Sequence, residues 1–308
     1  MSGGRRKASP HWLYRYSKKG NTQDIANYRP ISLLTCTYKI FTSILQTRIA
    51  SIIDPHLART QYGFRSSHST QQPVIQDIAE VSSGELLLLL TFLDWKQAFD
   101  KINHHRMFEV LERMNIPPKM LRITKALYRN PSFQVQHDEF ASQEYFQQCG
   151  IRQGCPLSPC LFIIVMSVLF ADIRRDHHRA LSHGKLGHLS FMEVLYADDT
   201  LLVTKNTRTM NGLLHAVKSE SQYCGLKLNQ SKCAAITSTG RHGIKFRDGT
   251  PVPHEDQVTS LGSITTWQVN ICAEIENRIA ATMATWRRMH VLFKNSNCLI
   301  SLETDSLQ

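Results

Sequence analysis

The stretch from Leu86 to Leu93 is apolar at every position but Thr91, and it is bounded by Gly84-Glu85 on one side and Asp94 on the other. A run so short and so uniformly apolar reads as a β-strand covered on both faces. The chain must therefore supply layers above and below it and pairing strands beside it. Asp94 then stands at the C-terminal end of a central strand, where a carboxylate can be presented into a cleft. The same residue would also serve as a helix cap. A second stretch, Phe191 to Thr204, reads as strand, tight turn, strand, because Val194-Leu195-Tyr196 and Leu201-Leu202-Val203 flank Asp198 and Asp199. Asp is disfavoured in strand interiors and at home in turns. Adjacent carboxylates repel, and a divalent cation between them relieves that repulsion. A hairpin turn that merely tolerates Asp is the other reading of these residues.

Apolar residues at helical spacing fill much of what remains. Ile31, Leu34, Tyr38, Phe41, Leu45 and Ile49 share one face and predict a helix over Ile31 to Ile53. Further helices are expected over Thr70 to Ser82, His105 to Met114, Pro118 to Tyr128, Met210 to Cys224 and Ile271 to Phe293. Leu161 to Asp172 is apolar all round, the pattern of a helix buried on every side. Ser132 to His137 with Glu144 to Cys149 suggests a β-hairpin, and Cys233 to Thr237 and Val258 to Ile264 read as strands. Pro30 holds Arg29 extended, and Gly150 to Pro159 is a loop of turn formers. With no repeat and no low-complexity linker, 308 residues read as one interlocked body.

Lysine and arginine number 36 against 25 acids, a net charge of +11 that favours a polyanionic partner. None of the eight cysteines forms a CxxC pair, and the fourteen histidines make no ligand cluster. The basic N-terminus has no apolar core behind it, and the longest apolar runs are too short to cross a bilayer. The expectation is a soluble protein in a reducing, intracellular setting, nucleus or cytoplasm, and not secreted.

Asp94, Asp198 and Asp199 are hard oxygen donors of the kind that hold two Mg²⁺ ions for phosphoryl transfer. Asp94 and Asp198 would bridge the metals and Asp199 would support them. Around these residues Phe92 to Asp100 (FLDWKQAFD), Arg152 to Pro159 (RQGCPLSP) and Tyr196 to Asp199 (YADD) resemble, in that order, the three central palm motifs of reverse transcriptases. Asn27 to Leu34 (NYRPISLL) and Gln61 to Arg65 (QYGFR) are similar to fingers signatures of the non-LTR, LINE-like retrotransposon branch. Gly225 to Asn229 with Lys232, and then Leu261-Gly262-Ser263, are similar to the two palm motifs that follow. The resemblance covers residues 18 to 290, and so many motifs in register make it specific.

The resemblance implies an α+β right-hand polymerase core, with an antiparallel palm sheet backed by helices. A basic segment at 1–17 would precede fingers at 18–85 and a palm at 86–268, with 269–308 beginning a truncated thumb. The implied activity is RNA-directed DNA polymerisation, in which a DNA primer is extended on an RNA template with dNTPs and two Mg²⁺ ions, Mn²⁺ being the alternative. No membrane partner is implied, and protein partners stay open. Asp94, Asp198 and Asp199 would be the catalytic and metal-binding residues. Phe99 would lie under the incoming sugar, where a ring clashes with a ribose 2′-OH; core packing is its other reading. Gln153 and Gly154, with Tyr196 and Ala197, would bind the nucleotide. Lys19, Arg29 and Arg65 would cover the triphosphate, and Lys232 (or Lys227) would be the general acid at the departing pyrophosphate. A chain that begins inside the fingers, with little thumb and no endonuclease motif, is expected to grip duplex weakly and to be impaired in synthesis. Two rivals therefore stay open: a catalytically deficient retroelement remnant that binds RNA or RNA–DNA duplex, and an RNA-templated RNA polymerase, against which Phe99 argues.

Overall fold

The computed structural model describes residues 11–17, 28–65, 88–137, 140–178, 192–237, 243–260, 263–266, 279–280 and 282–290. They fall in two compact units, Met1–Glu255 and Asp256–Gln308. In chain order the first unit contains β1 (His11–Ser17), β2 (Tyr28–Leu33), α1 (Cys36–Ile53), β3 (Leu89–Leu93), α2 (Ala98–Lys101), α3 (His104–Arg113), α4 (Pro118–Leu127) and β4 (Ser132–His137). It continues with β5 (Phe140–Ala141), β6 (Tyr145–Phe146), α5 (Leu157–Asp176), β7 (Glu193–Tyr196), β8 (Asp199–Thr204), α6 (Thr207–Tyr223) and β9 (Ala234–Thr237). The second unit holds the hairpin β10 (Gln257–Ser260) and β11 (Ser263–Thr266), and helical residues at 282–290.

The central sheet of the first unit is antiparallel, in the order β7-β8-β3-β9. β3 is buried along its whole length, as its apolar run requires, with Leu93 opposite Thr200 on β8 and Phe92 opposite Ala234 on β9. A second sheet joins β2 and β1 antiparallel, then β1 and β4 in parallel, with β5 and β6 both on β4.

The helix α5 is the axis of the core. It packs against α1, α3 and α6 and is buried around its circumference from Leu157 to Phe170. Each large apolar side chain withdrawn there contributes about 1.5–3 kcal/mol. Its length and apolarity would suffice to cross a membrane, but most of it lies inside the protein. Near its C-terminal end the buried Asp172 accepts from Arg106 at 3.1 Å and from Arg113 at 2.7 and 2.5 Å. A buried carboxylate is tolerable only with such partners, and these two tie α5 to α3.

The structure departs from the expected elements at several boundaries. The helix predicted from Ile31 begins at Cys36, because Tyr28–Leu33 pairs with β1 and the Thr35 hydroxyl caps α1 by accepting from the Tyr38 amide at 3.3 Å. No strand was expected at His11–Ser17; it pairs with β2 soon after it and with β4 far along the chain, and its own residues show no strict strand periodicity. The helix α5 runs past both ends of its apolar stretch, and α6 starts earlier than its apolar spacing implied, capped by Asn206 accepting from the Thr209 amide at 2.8 Å. The second limb of the expected hairpin reduces to the short β6, while Val258–Ile264 divides into the paired β10 and β11. The helix expected at Thr70–Ser82 lies outside the described residues.

Candidate active site

The three carboxylates meet at one end of the central sheet. β7 and β8 form a two-residue hairpin, with Tyr196 opposite Asp199 and Ala197-Asp198 at the tip. Ala197 has a positive φ of 56° while Asp198 does not, the pattern of a primed hairpin turn whose first central position favours glycine. One step beyond the Leu93–Thr200 pair, Asp94 leaves β3 on the level of Asp199. Asp94 is anchored from its other side: its carboxylate accepts from Asn229 Nδ2 and its carbonyl from the Asn229 amide, each at 2.8 Å. Trp95, which follows, donates Nε1–H to the Thr200 hydroxyl at 3.1 Å, locking the strand end to β8. Asp94 therefore does not cap a helix; its lone pairs face Asn229 and the hairpin.

Asp198 and Asp199 each keep exposed surface, yet the crowding around them and their mutual charge disfavour ionisation. Burial first, then the charges of Asp198 and Asp94, push Asp199 up to about 6. Asp198 is raised by burial and by Asp94, with Arg29 pulling it back. The carboxylates thus feel one another, and the charges acting on Asp199 are both negative. A concentration of hard, partly unneutralised oxygen donors fits a divalent cation, with Asp94, Asp198 and Asp199 as the groups that would hold it. They do not form a closed cage: among the described residues no three acidic, His or Cys side chains stand close enough to enclose one ion. Such an open set suits a cation that keeps waters and takes oxygens from a substrate.

The Arg152–Pro156 loop lies beside α2. Gln153 donates Nε2–H to Asp100 at 2.9 Å, and its carbonyl accepts from the Ser32 amide on β2 at 2.7 Å. Gly154 has a φ of 104°, and a Cβ there would stand 2.9 Å from the Ser32 carbonyl, so only glycine closes this approach. Phe99 is half-buried and stacks face to face on Phe162, with centroids 4.6 Å apart. Core packing thus claims one face of the ring, and the side chain as a whole stays only partly covered. Arg152, which motif reading passed over, is buried between Tyr38 and Tyr128, 5.5 and 5.4 Å from their ring centroids. It donates to the Tyr38 hydroxyl at 2.5 Å and the Leu127 carbonyl at 3.2 Å, binding the loop to α1 and α4.

The basic residues divide. Arg29 is exposed on β2 and its charge reaches Asp198. Lys232 is exposed just before Cys233, a residue close enough to Asp94 to feel its charge, while Lys227 gives its carbonyl to the Lys96 amide at 2.8 Å. Lys19 lies outside the described residues. Arg65 is held differently. Its side chain is 8% exposed and pairs with Asp54 at 2.8 Å, and it also donates to the carbonyls of Asp54, Ala58 and Gln61. These bonds hold Arg65 to its own loop, away from the carboxylates that Arg29 reaches. Asn229 and Arg152 stand inside motifs read from the sequence, but their supporting roles could not be read there, because each acts on a residue distant in the chain.

Residues 16–300 match the reverse transcriptase (RNA-dependent DNA polymerase) family. Over 298 residues the chain is 25% identical to a retrovirus-related Pol polyprotein from a type-1 retrotransposable element of Nasonia vitripennis, covering 89% of this chain and 28% of that one. It is 28% identical over 241 residues to the RNA-directed DNA polymerase from mobile element jockey of Drosophila melanogaster, covering 73% and 25% respectively. The chain thus spans 28% and 25% of the lengths of these relatives. Among solved structures, apo telomerase from Candida tropicalis, truncated from its C-terminal domain, matches with a TM-score of 0.57 at 15% identity over 84% of this chain and 54% of that one. Telomerase from Candida albicans, in complex with a fragment of telomeric RNA, matches with a TM-score of 0.57 at 12% identity over 88% and 47%. At these identities the likeness is one of fold, an α+β polymerase core.

Proposed function

Because the chain belongs to the reverse transcriptase (RNA-dependent DNA polymerase) family, we propose that it is the RNA-directed DNA polymerase core of a non-LTR retrotransposon, extending a DNA primer on an RNA template with dNTPs. The observation that carries this reading is the meeting of Asp94, Asp198 and Asp199 at the end of the central sheet, close enough that the Asp94 charge raises the proton affinity of both Asp198 and Asp199. Bound to these carboxylates, two Mg²⁺ ions would neutralise phosphate charge and acidify the primer hydroxyl. Asn229 fixes the Asp94 carboxylate, and the primed turn fixes Asp198. Phe99 rejects a ribose 2′-OH with the ring edge that Phe162 holds in place. The Gln153–Gly154 backbone lies against the nucleotide, Arg29 offers charge to its phosphates, and Lys232 gives a proton to the departing pyrophosphate. The excess of basic residues attracts template and primer backbones. Free thiols at every described cysteine fit an intracellular, reducing compartment.

Primer extension on an annealed RNA template, with Mg²⁺ and dNTPs, tests the proposal beside the Asp198→Ala/Asp199→Ala protein. Extension that disappears in the variant supports it. No extension, with equal and salt-sensitive RNA binding by both proteins, would replace it with the non-catalytic remnant.

A further inference from the structure

The segment from Thr60 to Gly63 lies along the outer edge of the carboxylate hairpin. Gln61 bridges Leu195 in parallel, the Leu195 amide donates to the Thr60 carbonyl, and the Tyr62 amide donates to the Leu195 carbonyl, both at 2.8 Å. Two residues on, Gly63 meets the turn itself. A Cβ on Gly63 would stand 2.4 Å from the Ala197 amide nitrogen and 3.0 Å from the Tyr196 carbonyl carbon. Backbone therefore rests directly on the backbone that holds Asp198. The segment is anchored at both ends. The Thr60 hydroxyl reaches the buried Glu193 carboxylate at 3.3 Å, which Arg174 also pairs, and the Gly63 amide donates to Gln61 Oε1 at 3.0 Å. Arg65, committed to Asp54, Ala58 and Gln61, closes the far end. The hairpin tip, by contrast, has an alanine at a positive φ, where glycine would sit without strain.

We propose that residues 60–63 form a strap that fixes the Ala197–Asp198 turn, with Gly63 the positioning residue that sets where the Asp198 carboxylate stands. The role rests on the polymerase reading above, but its geometry does not, so the two fail separately. Glycine is required because any side chain would run into the Tyr196–Ala197 backbone and shift Asp198 relative to Asp94. Gly63 has no side chain to offer a nucleotide or a metal, and acts through the Tyr196–Ala197 backbone.

The test is Gly63→Ala in the full chain, with two readouts. Binding of Mn²⁺ alone, followed by the electron paramagnetic resonance signal of the free ion, should weaken about 10-fold, as when a metal ligand loses its support. Single-turnover dNTP incorporation should fall about 100-fold at saturating dNTP, with the dNTP concentration for half-saturation little changed. Gly212→Ala, on α6 with nothing within 4 Å of the added Cβ, should leave both readouts unchanged. Adding Ala197→Gly to Gly63→Ala lets the turn yield and should recover part of the loss. If Gly63→Ala does not fold, Thr60→Val, which loosens the anchor without a clash, should show smaller losses of the same kind. Mn²⁺ binding and incorporation both within threefold of wild type, in whichever of these variants folds, would overturn the strap. Failure of the wild-type chain to polymerise would count against the polymerase reading, while Mn²⁺ binding would still decide the strap.

Discussion

Replacing Arg152 by methionine tests how much of the Arg152–Pro156 loop's rigidity comes from one buried cation. The guanidinium donates to the Tyr38 hydroxyl at 2.5 Å and to the Leu127 carbonyl at 3.2 Å, and it lies between two tyrosine rings. Charged hydrogen bonds contribute about 1.5–3 kcal/mol each, and the longer one belongs at the low end. Two desolvated cation–π contacts add about 1–2 kcal/mol each. Against this gross gain of about 5–8 kcal/mol stands the several kcal/mol needed to desolvate a cation that is 7% exposed. Methionine removes both sides of that balance but leaves the Tyr38 hydroxyl and the Leu127 carbonyl without their donor, so the net loss should be about 3 kcal/mol. For a unit of this size that is a fall in Tm of about 6–12 °C. Arg152→Lys restores the charge but not the flat fork between the rings, and should lose nearly as much. Urea unfolding gives the free energy and calorimetry the Tm; in the same variants half-saturating dNTP should rise about 10-fold as the Gln153 loop loosens. A loss under about 1 kcal/mol, or lysine serving as well as arginine, would refute the reasoning.

The remaining predictions use the same structure. Asp199, at about 6, holds a proton more tightly in the folded chain than in the unfolded one, so in the absence of metal this group favours folding increasingly as pH falls from about 7 to about 4. Saturating Mg²⁺ should abolish that gain by holding the carboxylate ionised; a metal-free Tm that does not rise on acidification in wild type relative to Asp199→Asn would contradict the assignment. Phe99→Ala, which removes the ring stacked on Phe162, should raise relative use of ribonucleotides at least about 10-fold in competition assays. Unchanged discrimination would return Phe99 to the core. Arg65→Met should lower Tm through loss of the Asp54 pair while half-saturating dNTP moves less than about twofold; a large rise in the latter would place Arg65 at the triphosphate.

The three carboxylates were legible in the chain because their neighbours speak locally. A run of apolar residues ending at Asp94 marks a covered strand, and two adjacent aspartates between apolar runs mark a turn, of which Asp198 takes the tip while Asp199 opens β8. The same local logic marked α5, α3, α4 and β9, and the motifs in register carried the family. What sequence alone left open is held by partners far away along the chain. Asn229 supports Asp94, Arg152 binds its loop to Tyr38 and Leu127, and Gly63 rests on Ala197. The register between β3 and β8, which brings Asp94 level with Asp199, is likewise a choice among pairings that the apolar pattern alone permits. Arg65 shows the opposite limit, a basic residue in a family motif whose donors are consumed by its own loop. Periodicity and turn chemistry act over a few residues, so the sequence by itself determined the elements and the acids they end on. Hydrogen bonds and close backbone approaches act across space, so only the tertiary structure decided which side chains hold those acids in place.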